Sequence, residues 1–159
     1  MRIALGADHA GYQLKDELVR RLRARGDAVL DQGTRGPDAV DYPDLARAVC
    51  EAVTQGESEL GIMICGTGIG SQIACNKMPD IRAALCHDTY SAICSREHND
   101  ANVLCLGARV IGVELAWHIA QTWLQAGFSG ADRHRRRIRK VMALEELREP
   151  GPKPSAPQA

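Results

Sequence analysis

A chain of 159 residues is long enough to bury one substantial core and short for two, so a single domain is expected. Its 20 lysines and arginines balance 20 aspartates and glutamates, which excludes a global field pulling the protein toward nucleic acid or an anionic membrane. No apolar run reaches the length of a signal peptide or a membrane span, so a cytoplasmic protein without membrane contact is expected.

The elements alternate along the chain. A β-rich run at Ile3 to Ala7 leads into Leu14, Leu18 and Leu22, whose four-residue spacing predicts a helix. A second run, Ala28 to Asp31, precedes a helix that Pro43 opens in its first turn, with Leu45, Val49 and Val53 as its inner face. Further runs at Leu60 to Cys65, Ile81 to Cys86 and Asn102 to Gly107 are followed by helices over about 68–78, 88–97 and 112–126. A last helix is predicted over about 131–148, and the Pro-rich end, 149–159, reads as a disordered tail. Strands alternating with helices predict an α/β, doubly wound, Rossmann-like fold. Its five parallel strands would follow the order 2-1-3-4-5, with helices on both faces.

The six cysteines, at 50, 65, 75, 86, 94 and 105, include no CxxC pair. Cys50, Cys75, Cys94 and Cys105 fall inside predicted elements, where a free thiol acts as a small hydrophobe. The five histidines are scattered, so no zinc site is expected.

In a doubly wound sheet, ligands bind beyond the carboxyl ends of the strands, near the point where strand order reverses. The predicted strand ends carry Asp8 and His9, Gln32 and Gly33, Cys65 to Gly70, His87 and Asp88, and Gly107 to Arg109. The segment ICGTGIGS at 64–71 has three glycines in five positions, yet lacks the lysine of a Walker loop and has Ser71 where a dinucleotide fingerprint needs glycine. Two readings remain: backbone N–H groups that gather an anion, or a tight strand-to-helix turn. Cys65 is either a thiolate favoured by those donors or one more core cysteine. Thr67 either handles substrate protons or makes the turn.

SREHND at 95–100 ends a helix, where His98 suits the helix dipole. It lies at the amino end of the following strand, so a site it serves is naturally a neighbouring subunit's. ADRHRRRIRK at 131–140 places His134 and Arg137 within an apolar arc of Ile138, Val141, Met142 and Leu144, with Arg133 at its edge. Arginines beside such a stripe suit bidentate phosphate recognition. The same cluster is compatible with a nucleotide- or nucleic-acid-binding module, against which neutral charge and few aromatics count.

GADHAGYQLK, DYP, ICGTGIG, CNK, SREHNDANVL, GAR and RHRRRI together resemble the type B ribose-5-phosphate isomerase family, which includes galactose-6-phosphate and allose-6-phosphate isomerases. The resemblance spans residues 2 to about 148. One departure is Cys75, where the family commonly has alanine. The resemblance implies a sugar-phosphate isomerase domain over 1–148 and a homodimer with sites between subunits, or a dimer of such dimers. It implies no metal and no cofactor. The implied reaction interconverts D-ribose 5-phosphate and D-ribulose 5-phosphate through a cis-enediolate, in the non-oxidative pentose phosphate pathway.

Roles come with the resemblance. Cys65 matches the base of one branch; another branch places a glutamate where Ser71 stands. The N–H groups of Gly66, Gly68, Ile69 and Gly70 match the enediolate site, with Thr67 assisting. His98 matches the ring-opening residue, with Asp8 near the ring oxygens. His9, Arg109, Arg133, His134 and Arg137 match positions around the phosphate, and Tyr42 and Asn99 match substrate contacts.

Overall fold

A computed structural model describes residues 1–147. The strands are β1 (Arg2–Ala7), β2 (Ala28–Gly33), β3 (Leu60–Cys65), β4 (Ala83–Leu85) and β5 (Val103–Gly107). Between and after them run α1 (Tyr12–Ala24), α2 (Tyr42–Thr54), α3 (Ile69–Cys75), α4 (Thr89–Asn99), α5 (Val113–Gln125) and α6 (Asp132–Met142). The Pro-rich tail predicted over 149–159 lies outside the described residues.

All four strand pairings are parallel, as the alternation of strands and helices requires. The order is β2-β1-β3-β5-β4, which corrects the expected positions of the last two strands. Burial explains the exchange. Every residue of β5 is buried, as an interior strand demands, whereas β4 has three residues of which two are only half-buried, fit for an edge. β4 is also shorter than the predicted run over 81–86.

Side chains alternate across the sheet with the two-residue period of a strand. Ile3, Leu5, Ile62, Ile64, Leu104 and Leu106 face one layer, where α1 and α5 supply Leu18, Leu22, Ile119 and Trp123. Ala4, Met63, Val103 and Cys105 face the other, against Val49 and Cys50 of α2 and Cys75 of α3. Each fully buried leucine or isoleucine stabilises the fold by about 1.5–3 kcal/mol, so the two layers dominate its energetics.

α6 belongs to neither layer and packs against α4. His134 is its one buried residue among those described, while Val141 and Leu144, from the predicted apolar arc, are more than half exposed. The helix ends at Met142, short of the predicted 148. No helix among the described residues is long and apolar enough to cross a membrane.

Candidate active site

The switch point lies between β1 and β3, because the chain leaves β1 toward β2 on one side and β3 continues the sheet on the other. Beyond the paired strands, hydrogen bonds extend the ladder: Asp8 N–H donates to Ile64 O at 3.1 Å, Ala108 N–H to Cys65 O at 2.9 Å and Arg109 N–H to Gly66 O at 2.9 Å. Asp8, Cys65 and Arg109 are thereby fixed side by side on three adjacent strand ends.

Cys65 closes β3 with its side chain buried. Gly68, at a φ of 79°, turns the loop back so that its N–H donates to Cys65 Sγ at 3.1 Å. Glycine is needed there, since the left-handed region is costly for any residue with a Cβ. Ser71 Oγ lies 3.3 Å from the same sulfur and 3.0 Å from the Gly68 carbonyl. This arrangement serves both protonation states. A neutral thiol donates to Ser71 Oγ while the hydroxyl donates to Gly68 O; a thiolate accepts from Gly68 N–H and from the rotated hydroxyl. α3 is seven residues long, so individual N–H groups matter here more than a helix dipole.

Among the neighbouring side chains, Tyr42 and Arg109 lie against the loop. Asp8 is buried, and its Oδ1 accepts the N–H groups of Ala10 at 2.9 Å and Gly11 at 3.1 Å, which orders the start of α1. His9 Nδ1 accepts Val40 N–H at 3.4 Å. Tyr42 opens α2 and lays its ring on Gly70, where a Cβ would come within 3.0 Å of the phenol oxygen. Arg109 lies along Gly66, its Nε 3.8 Å from the position of a Cβ there. Thr67 is exposed, and its Oγ1 accepts Ile69 N–H at 3.4 Å. Two of the N–H groups expected to gather an anion, those of Gly68 and Ile69, are therefore engaged within the loop.

The remaining predicted residues form a second cluster. His98, in the last turn of α4, meets His134 of α6 with ring centroids 4.4 Å apart. Arg133 Nε donates to His134 Nε2 at 3.2 Å, and His134 Nδ1 lies 2.9 Å from Ser129 Oγ. An acceptor at Nε2 requires a neutral imidazole. Burial, and then the positive neighbours His98, Arg133 and Arg137, hold the His134 pKa below its ordinary value in agreement. Asn99 and Arg137 line a groove of about 630 Å³ between α4, α6 and the β4 edge. Cys65 does not line it.

The two clusters stand at opposite ends of the sheet. Asn99 leads into β5 and Arg109 follows it, so the length of that strand, about 16 Å, separates them. Other predicted features find structural explanations. Asp88 caps α4, its carboxylate accepting the N–H and the hydroxyl of Ser91, both at 2.7 Å. Cys50, Cys75 and Cys105 are fully buried core residues, whereas Cys94 is half-buried. The contact of Ser71 with Cys65 was not foreseen. Its signal was a hydroxyl in the first turn after the loop, able to bond back onto it.

Residues 3–141 match the model of the ribose/galactose isomerase family. The chain is 48% identical over 147 residues to ribose-5-phosphate isomerase B of Escherichia coli strain K12, covering 92% of this chain and 98% of that protein. It is 46% identical over 132 residues to D-erythrulose-4-phosphate isomerase of Pectobacterium atrosepticum, covering 82% and 86%. The solved structure of ribose-5-phosphate isomerase B from Clostridium thermocellum superposes with a TM-score of 0.91 at 52% identity, covering 92% of this chain and 99% of that one. With the expected parallel sheet, the loop on β3 and this likeness over nearly its whole length, the chain belongs to the ribose/galactose isomerase family.

Proposed function

We propose that the protein interconverts D-ribose 5-phosphate and D-ribulose 5-phosphate. The observation that carries this reading is the Cys65 thiol, buried at the carboxyl end of β3 and accepting the Gly68 N–H at 3.1 Å. Isomerisation takes the proton from C2 of the open-chain aldose and returns it to C1, while the hydroxyl proton passes from O2 to O1. One base above one face of a cis-enediolate serves both carbons. Cys65 is that base, and Gly68 N–H stabilises its thiolate. The enediolate oxygens fall to the N–H groups of Gly66 and Gly70, with Ile69 N–H contributing once Thr67 Oγ1 turns to the substrate hydroxyls. The scheme uses no metal and no cofactor.

Ring opening needs a proton donor and acceptor within hydrogen-bond reach of the same sugar. His98 takes this role, with Asp8 at the ring oxygens, and Asn99 and Tyr42 hold hydroxyls. His9 and Arg109 meet the phosphate from one side, Arg133, His134 and Arg137 from the other. A strand's length separates these two groups within one chain, so the working unit is a homodimer in which each cluster completes its partner's site. Two such dimers can associate without altering the sites. The exposed Ile69 and Ile73 of α3, Val141 of α6 and Leu144 just after it supply apolar area for contact between the two subunits of the dimer. A cytoplasmic location suits a phosphorylated sugar substrate.

The Pectobacterium relative's name specifies a four-carbon ketose phosphate, which favours a second reading in chain length alone. The test is turnover of the purified protein on ribose 5-phosphate, allose 6-phosphate, galactose 6-phosphate and erythrulose 4-phosphate. The highest kcat/KM is expected on ribose 5-phosphate. A preference for another of these sugars replaces the substrate, and no turnover on any of them overturns the proposal.

A further inference from the structure

His87 follows β4 on the carboxyl side of the sheet, and no role described so far uses it. Its ring is half-buried, but its Nε2 is fully enclosed and has no hydrogen-bond partner. An orphaned polar atom in such a place is costly unless something in the working state engages it. Gly107 shows what lies beside it. A Cβ at that position would sit 2.6 Å from the Thr67 carbonyl oxygen and 2.9 Å from His87 Nε2, so both atoms crowd the same small space above β5. Gly107 is also the register partner of Cys65.

The Thr67 carbonyl shares one trans peptide unit with the Gly68 N–H that meets Cys65 Sγ. That unit is planar, so its carbonyl and N–H point in opposite directions and cannot rotate independently. A donor on the carbonyl therefore fixes the direction of the N–H and polarises it toward the sulfur.

We infer that His87 is a positioning residue for the base: its Nε2–H engages the Thr67 carbonyl and, through the 67–68 peptide, holds the Gly68 N–H on Cys65 Sγ. The inference rests on the reading of Cys65 as base. Other charged or titratable groups also surround this network: Asp8 at the end of β1, Cys75 on α3, Arg109 after β5, and Asp88 at the head of α4 beside His87. None of them shares the 67–68 peptide.

The test compares His87→Ala, His87→Phe and His87→Gln in the full chain. Two quantities are read: the rate of Cys65 alkylation by iodoacetamide at neutral pH, followed by peptide mass spectrometry, and kcat and KM on ribose 5-phosphate. Alanine removes the ring, phenylalanine keeps its bulk without a donor, and glutamine restores a donor. The alanine and phenylalanine variants should each alkylate and turn over about tenfold more slowly, with KM within about twofold, and glutamine should recover most of both. Phenylalanine behaving like the wild type would reduce His87 to packing and overturn the inference. So would an unchanged alkylation rate in the alanine variant, or glutamine as slow as alanine. If alanine does not fold, the phenylalanine and glutamine pair decides. Failure of the base reading looks different: Cys65→Ala would keep its turnover, while the alkylation comparison in the His87 series stands by itself.

Discussion

Cys65 illustrates how one residue position becomes chemical. Its sulfur is buried, with the Gly68 N–H and the Ser71 hydroxyl both within hydrogen-bond distance. Replacing Cys65 by alanine removes the proposed base and leaves the loop. Turnover should fall by about 10²- to 10⁴-fold, the usual worth of a positioned general base, while ribose 5-phosphate still binds by calorimetry. Turnover within a few-fold of the wild type would take the thiol out of the mechanism. At this scale the place of Cys65, at a strand end followed by glycines, was legible from the apolar run that precedes it. Ser71 and His87 were not legible, since their partners come from a left-handed turn and from the approach of β4 to β5.

Among the elements, the loop between β3 and α3 leaves little room for change. An alanine at Gly68 needs φ near 79°, and its Cβ would run into Leu85 Cδ1 and lie 3.0 Å from the Leu106 backbone. Gly68→Ala should cost about 2 kcal/mol or more in urea unfolding and abolish most turnover. Gly36→Ala, with open space around it, is the control and should do neither. The end of β2 carries a second element-scale device. Lys15, fully buried on α1, places Nζ 2.7 Å from Asp31 Oδ1, which also accepts Gly33 N–H at 3.0 Å. Burial works against the Asp31 charge, but the Lys15 and Gly33 hydrogen bonds outweigh it and hold the pKa below the ordinary 3.8. A carboxylate depressed on folding contributes its stability above its unfolded pKa and loses it as pH falls through the folded one. Asp31→Asn should therefore lower the urea midpoint at pH 7 and flatten its decline below about pH 4. A decline as steep as in the wild type would show that other carboxylates govern acid unfolding. Strand identity was readable from apolar runs. The exchange of β4 and β5 was not, because the choice of edge depends on which strand finds cover on both faces.

For the whole molecule, the decisive fact is that the residues matching one family site fall into two clusters a strand apart. The sequence placed SREHND away from the ligand face, but could not show that His98 would meet His134, which follows from the packing of α4 on α6. If the clusters act in different subunits, two different defects can complement each other. Cys65→Ala spoils the loop cluster and His98→Asn the histidine cluster, so each homodimer has two defective sites. In a heterodimer, one site carries both lesions and the other carries neither. Random exchange of equal amounts makes half of all dimers mixed, each with one intact site, so activity should recover to about a quarter of the wild type from two nearly inactive parents. Exchange is followed independently by native mass spectrometry with one parent isotopically labelled. If mixed dimers form and no activity returns, the base and the ring-opening histidine serve the same chain, and the two-cluster geometry has a different meaning. Val141→Glu, which charges the exposed apolar face of α6, supplies the converse experiment. It should weaken the dimer and lower activity in a way that higher protein concentration restores, as expected when the active site exists only in the assembled pair.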